Sequence, residues 1–477
     1  MKNILKLFSS IILITSFISC SNEDLDPVLA LDKDTETGIQ TADDLFSVLN
    51  SAYNRMTPSG YYGRDMIIMG DVRTDNLYSN MNSGRFQDSN MDHNPDGYGP
   101  WTTIYRAIAI TNIVIGADLS KIDGSSARLN HIVGQAYALR ALLHFDLLRS
   151  YGQHFVSGQG GANALGIPYV KTYKDAANLS PARDTAASNI GDIESDLVTA
   201  ISLMNQSFDT STSYMTLAGA YAIAARVSLY VGYFDSDYYQ DAGEYAKWVI
   251  DNSGAVPASA SNFAGTYLTD NASNSLFELA YSGTDSASIN GLGYILRGTS
   301  YGDVRILTGD GAPDLYDIFE ADKATDVRFT VNGMIGISEG QPTVIGKYPS
   351  VNGSDNITLF RIEEMHLIYA EAMLRAGDAT TALTYLNNIP ALRNATLYTE
   401  ATIENILNER RKEFYAEGLR FYDLARNGMD MPLVDSIKQL NDDLDGTPPR
   451  FGSYRYAYPI AKAERDANPN IVQNYGY

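Results

Sequence analysis

The sequence predicts a mainly α-helical body that carries long irregular loop regions and minor β structure. Apolar residues repeat at helical spacing along much of the chain, two later stretches read as related helix pairs, and the pattern fails in two zones, 59–100 and 252–358. With 477 residues, 44% of them hydrophobic and 19% charged, the chain can bury a large core. It is also longer than one minimal domain of roughly 100–200 residues. Its 35 basic and 57 acidic side chains leave a formal charge of −22. A surface that acidic repels phosphate backbones and anionic headgroups, so nucleic acid is excluded as a partner and neutral or cationic ligands are favoured.

Residues 1–19 read as a signal peptide, with Lys2 and Lys6 ahead of an apolar stretch from Leu7 to Ile18. Cys20 follows and is the only cysteine, so no intramolecular disulfide can form. An ordinary secretory peptide and a lipoprotein signal both fit. Small Ser19 and a sole cysteine placed at the end of the apolar run favour acylation of Cys20. Residues 20–40, opening with Ser21-Asn22-Glu23-Asp24, lack hydrophobic periodicity and read as an acidic tether. No later run approaches 18 apolar residues, which predicts a body anchored to a membrane without spanning it.

The body is expected over 41–477, with a helical and loop part to about 260 and a C-terminal part from about 261. Thr41 stands as a cap ahead of Leu45, Val48, Leu49 and Ala52. Trp101, Ile104, Tyr105 and Ile108 make a second stripe. A third runs from Leu129 to Leu147 and stops at Gly152; Ile190, Ile193, Leu197, Ile201 and Met204 form a fourth. Ala225, Leu229 and Gly232 precede Ala242, Ala246 and Ile250, much as Ala372, Ala376 and Gly377 precede Ala382, Leu386 and Ile389. Each set reads as two helices held close by small residues, the arrangement of tetratricopeptide (TPR)-like pairs. Within the second irregular zone, Leu276–Tyr281 is strand-like.

Motifs then accumulate. Arg361-x-x-Glu364-x-x-Leu367-x-Tyr369-Ala370-Glu371-Ala372 resembles a helix of the SusD/RagB proteins. The run from Glu409-Arg410-Arg411-Lys412-Glu413 through Glu417-Gly418-Leu419-Arg420 to Asp423-Leu424 closely resembles that family's "E-R-R-x-E-x-x-x-E-G-x-R-x-x-D-L". Tyr458-Pro459-Ile460, Glu464, Asn468-Pro469 and Gln473-Asn474-Tyr475-Gly476-Tyr477 resemble its closing segment, with Ala461 and Tyr475 standing where proline is usual. Trp101-x-x-x-Tyr105 and Ala138-x-Arg140-Ala141 with Phe145-Asp146-Leu147 are similar to two upstream helices. The resemblance implies a SusD-like α-helical scaffold and a surface lipoprotein of the outer membrane facing the exterior. It further implies a SusC-type TonB-dependent transporter as partner and a glycan, or in a minority of members a peptide, as ligand. The acidic residues after Cys20 likewise resemble the export tag of surface lipoproteins in Bacteroidetes.

Catalysis is not indicated. Glu413 and Glu417 lie four apart on one helix face, whereas glycosidase carboxylates flank a bond from two sides of a cleft. Arg411, Arg420 and Arg426 suit an ion network instead, including Arg420–Asp423 and Asp423–Arg426 at i, i+3. The five histidines show no metal spacing, and no cofactor is implied; the Asp- and Asn-rich loops could hold a structural Ca²⁺. A sugar is apolar on its faces and hydroxylated at its edges, so it needs flat aromatic rings bordered by polar groups. The 59–101 zone offers Tyr61, Tyr62, Tyr78, Tyr98 and Trp101 with Asp71, Arg73, Asp75, Asn76 and Arg85. The second zone offers Tyr281, Tyr294 and Tyr301 with Asn290, Arg297 and Arg305.

Overall fold

Thr41 opens the first helix, α1 (Ala42–Met56), with a reciprocal capping box: its hydroxyl accepts from Asp44 N and the Asp44 carboxylate accepts from Thr41 N, both at 3.1 Å. The computed structural model describes residues 38–91, 99–299, 301–439 and 449–477, so the acylation expected at Cys20 and the segments 1–19 and 20–37 lie outside the described residues. Each apolar stripe becomes a helix: α3 (Pro100–Ile115), α4 (Ser126–Tyr151) and α5 (Ala186–Leu203). Along α4 the stripe from Leu129 to Leu147 is buried throughout, and Gly152 is the C-cap.

The helix pairs also form, as α6 (Leu217–Val231) with α7 (Tyr238–Asn252), and α8 (Ile362–Arg375) with α9 (Ala379–Ala391). Packing runs α1 on α3, α3 on α4, α4 on α5, α5 on α6, α6 on α7, α7 on α8 and α8 on α9. A continuous row of TPR-like antiparallel neighbours results, although 109 residues separate the end of α7 from the start of α8. Their contact depends on small residues: a Cβ on Gly243 would sit 3.0 Å from the Ala372 Cβ. Gly243→Val should lower stability by about 1–3 kcal/mol through overpacking, read as a lower urea midpoint at unchanged m-value.

The 109-residue interval between those helices holds the second irregular zone, threaded by short strands. Among the described residues there are three two-stranded antiparallel sheets: β1 (Leu77–Ser79) with β3 (Val304–Ile306), β2 (Ser275–Leu279) with β6 (Ile357–Arg361), and β4 (Ile335–Ser338) with β5 (Gln341–Val344). The β1–β3 pair, Leu77 opposite Ile306, brings the two loop zones together. The first zone is less irregular than the sequence suggests. It contains α2 (Asp65–Val72), whose residues from Met66 onward are all buried. An all-round apolar octapeptide has no period to detect, and no side chain caps it.

Two C-terminal helices, α10 (Ile403–Phe414) and α11 (Arg420–Ala425), carry the long charged run. The turn between them presses on α2: Gly418, at φ +77°, stands so near that a Cβ on Gly70 would lie 2.2 Å from the Gly418 carbonyl oxygen. Beyond α11 the tail returns to the end of α4, where the last carbonyls of a helix lack partners within it. Tyr458 N donates to Ser150 O at 2.8 Å and Asn474 Nδ2 to Tyr151 O at 2.8 Å. Arg183 Nη1 donates to Asn474 Oδ1 at 2.7 Å and Tyr475 N to Gln153 Oε1 at 2.6 Å. The ending is therefore a cap for α4, and the Tyr475 amide, a donor that proline would lack, is used in the clasp.

Candidate functional site

The charged run of α10 and α11 is a buried ionic lattice. Glu413 is inaccessible to solvent and meets three guanidinium groups from outside its own helix: Arg361 at 2.5 Å, Arg393 at 2.7 Å and Arg328 at 3.1 Å. Burial alone would raise its pKa, but Arg393, Arg361 and Arg328 hold it well below the usual carboxylate range. Glu417 accepts from Arg361 at 3.0 Å and from Lys347 at 2.6 Å. Burial pushes the Lys347 ammonium down to about 8 against that attraction. One expected helix pairing forms and the other does not. Asp423 binds Arg426 at 2.8 Å and Arg410 at 2.8 Å, while Arg420 turns away to Asp75. Every carboxylate of the run is thus engaged with a cation, and all but Glu417, which is 10% exposed at the wall of a cavity, are enclosed, as a structural lattice requires.

The same lattice claims most of the polar residues expected at a ligand site. Asp75 takes two bonds of 2.8 Å from Arg420 and an ion pair of 3.2 Å from Arg411. Asn76 accepts from Arg411 Nε at 2.8 Å and donates to Asp71 at 2.8 Å. Asp71 also accepts from Gly418 N, and burial pushes it up to about 6. Arg73 lies between the Phe421 and Tyr458 rings, 4.1 and 4.7 Å from their centroids. Tyr61 donates to Asp146 and stacks beside Tyr62 at 4.5 Å. Tyr78 is buried in β1, and Trp101 is buried edge-on to Tyr151 at 5.0 Å. The expectation that Tyr61, Tyr62, Asp71, Arg73, Asp75, Asn76, Tyr78 and Trp101 face a ligand is corrected accordingly: all eight are core. Asp71, Arg73, Asp75 and Asn76 looked like surface because partners such as Gly418, Phe421, Arg420 and Arg411 stand more than 300 positions away. Tyr98 lies outside the described residues.

Of the remaining candidates, Arg85, Asn290 and Tyr301 come together at the surface. Arg85 is the node between the two loop zones. Its Nε donates to Asp303 at 2.6 Å, its Nη1 to Asn290 at 3.0 Å, and its Nη2 to the Tyr301 carbonyl. The Asp303 side chain is wholly buried and is further held by Ser83 N and Oγ, at 2.7 and 2.6 Å. Arg85 itself keeps 23% of its side chain exposed, so a fixed guanidinium edge faces outward with donors to spare. Around it stand Tyr301, 57% exposed, and Ile289, 45% exposed.

Three neighbours were not legible in the sequence as site residues: Arg64, Phe86 and Met81. Arg64 reaches Asn290 at 3.4 Å and lies 5.5 Å from the Phe86 ring centroid. Phe86 and Met81 adopt φ +60° and +63°, conformations costly for side chains of their size. Backbone strain of this kind persists where surrounding bonds over-determine the loop, as the Asp303 clasp does here. Tyr294 is half-buried in the short helix Leu292–Ile295. Tyr281 and Arg297 are tied inward, Tyr281 through its hydroxyl to Thr57 O and Arg297 to Pro349 O at 2.7 Å, and Arg305 is buried against Glu339. Among the described residues no group of three or more His, Cys, Asp and Glu side chains is placed to hold a metal ion.

A profile of the SusD family matches residues 338–477, and a profile described as starch-binding and associating with the outer membrane matches residues 29–229. A SusD-like protein of Formosa agariphila, termed P2, is 24% identical over 97% of this chain and 98% of its own length. The starch-binding protein SusD of Bacteroides thetaiotaomicron is 35% identical over 29% of this chain and 24% of its own. A crystal structure of a SusD superfamily protein from Bacteroides thetaiotaomicron superposes with TM-score 0.78 at 27% identity, covering 91% of this chain and 99% of that one. A structure from Bacteroides vulgatus described as a putative sugar-binding protein gives TM-score 0.78 at 27% identity, over 93% and 100%. Profiles at both ends of the body and superposition along nearly all of it place the chain in the SusD/RagB family.

Proposed function

We propose that this protein captures a glycan at the cell surface, without turning it over, and passes it to a SusC-type TonB-dependent transporter. The observation that carries the reading is the Arg85 node: a clamped guanidinium and an amide beside an exposed tyrosine ring, joined from two loop zones. Such a face meets a sugar with stacking on its apolar side and fixed donors at its hydroxyl edge. The printed descriptions of the relatives as starch-binding, sugar-binding and associated with the outer membrane support the ligand class and the location. Among the described residues no helix is long and apolar enough to cross a membrane, which is compatible with attachment through Cys20.

The test is affinity electrophoresis of a soluble form beginning at Ser21 against a polysaccharide panel, with a peptide pool as competitor. Retardation by one glycan, abolished by Tyr301→Ala at an unchanged melting temperature, is the expected result. Retention of peptides with no retardation by any glycan would overturn the ligand class, and release of shorter sugars would overturn the non-catalytic reading. A shallow face alone is expected to bind in the micromolar to millimolar range, about −8 to −4 kcal/mol. The transporter would then add contacts from the other side, so the pair should bind the same glycan more tightly than the isolated lipoprotein. Equal affinities would remove the case for joint capture.

A further inference from the structure

A second cavity lies between α1, the start of α4 and the loop that precedes α6. It encloses about 230 Å³ and is walled by the half-buried rings of Phe46, Phe208 and Tyr214. Phe46 and Tyr214 meet edge to face at 5.0 Å. Asp209 also lines a neighbouring cavity of about 500 Å³ on the other side of the same loop, so the two spaces adjoin through it.

Two acceptors in the wall of the smaller cavity lack partners. Gln135 is 4% exposed; its amide nitrogen donates to Met215 O at 2.7 Å, which fixes the amide's orientation, and also lies 3.2 Å from His131 Nε2. That leaves Gln135 Oε1 with no hydrogen-bond partner among the described residues. Asp209 spends one oxygen on Leu217 N at 3.1 Å, and its other oxygen is equally unpartnered. The nearest cationic candidate is His131, whose Nε2 is 3.7 Å from that oxygen, beyond a hydrogen bond. His131 Nδ1 accepts from Asn205 N at 3.2 Å, and burial lowers the ring's pKa, so it stays neutral. Arg128, at the rim, is engaged with Asp43. Burial pushes Asp209 up to about 6, the mark of a carboxylate without adequate compensation.

Two orphaned acceptors, one of them a carboxylate, beside three aromatic rings define the complementary ligand. It offers donors and no acceptor at its tip, carries positive charge, and has an apolar body. An ammonium group has three donors and no acceptor, and aromatic faces attract it further. We infer that this cavity binds a protonated primary amine, with Asp209 and Gln135 as its acceptors and Phe46, Phe208 and Tyr214 as its walls. The chain's net charge of −22 favours approach of such a cation. The site is separate from the Arg85 face and stands whether or not that face binds glycan. The amine could be that of an amino sugar or that of a lysine-like side chain.

The probes are glucosamine, n-butylamine and glucose, titrated calorimetrically into the soluble protein. Both amines should bind and glucose should not. Asp209→Asn keeps the acceptor for Leu217 N and removes the charge, so it should weaken both amines at least tenfold, whereas Tyr301→Ala should leave them unchanged. Glucosamine binding much tighter than butylamine would assign the site to amino sugars; equal binding would assign it to amines on any apolar chain. Absence of amine binding, glucose binding as well as glucosamine, or amine affinity indifferent to Asp209→Asn would overturn the inference. Should Asp209→Asn melt early, Gln135→Leu gives the same test, expected to weaken both amines severalfold and overturning the site if it does not.

Discussion

Replacing Glu413 by alanine is expected to lower the unfolding free energy by about 3–5 kcal/mol, because it strands buried charge that has no access to water. Arg361, Arg393 and Arg328 converge on this one carboxylate, and all three are themselves buried. Arg328 would retain Asp326 at 2.7 Å and Glu409 at 2.5 Å, and Arg361 would retain Glu417 at 3.0 Å. Arg393 would be left with Glu363 at 3.0 Å as its carboxylate partner. The loss is therefore partial for two arginines and severe for the third. Urea unfolding gives the magnitude; a change below about 1 kcal/mol would mean the lattice reorganises at little cost. The pH dependence has a definite sign. A carboxylate held below its unfolded value stabilises fully above that value, about 4.3, and loses its contribution as pH falls through the folded one. The stability gap between the native protein and Glu413→Gln should stay constant above about pH 5 and close as the medium becomes more acidic.

Arg85→Lys should weaken glycan binding about 10- to 100-fold, equivalent to about 1.4–2.7 kcal/mol, while preserving the fold. Lysine keeps a cation beside buried Asp303, so the carboxylate is not stranded. It loses the planar fork that reaches Asn290, Asp303 and the Tyr301 carbonyl at once. Without that brace Tyr301 and Asn290 are no longer held in one register, and ligand ordering has a larger entropic cost. Calorimetry against the glycan identified by electrophoresis checks this. Binding by Arg85→Lys equal to that of the native protein would show that charge alone suffices and that the preorganised edge is not what the ligand reads.

The scaffold was largely legible in the sequence because helix formation is a local matter. The stripe from Leu129 to Leu147 and the small residues of α7 and α8 announce both the helices and how closely they pack. The site was legible in part. Arg85, Asn290 and Tyr301, candidates from two separate loop zones, meet at one face, but Asp71, Arg73, Asp75 and Asn76 resemble surface residues until their distant partners are known. Asp75 is neutralised by Arg420, 345 positions later, a pairing that no window of local sequence contains. The surplus of arginines at 410–426 over local carboxylates was the available hint. Phe86 gave no hint at all, since its placement follows from a left-handed backbone that its residue type disfavours.

The clasp of the tail on α4 also sets the moment at which folding finishes. A plain helical solenoid can consolidate repeat by repeat as it leaves the ribosome. Here the last carbonyls of α4 wait for Asn474, 323 positions downstream of Tyr151, and Asp75 waits for Arg420. Closure over such separations is slow, and it is impossible before the final residues are made. The end of α4 and Asp75 consequently lack these partners until synthesis is nearly complete. Lateness of this kind would suit the export that the proposed attachment through Cys20 requires, because a chain that crosses a membrane unfolded gains from folding late.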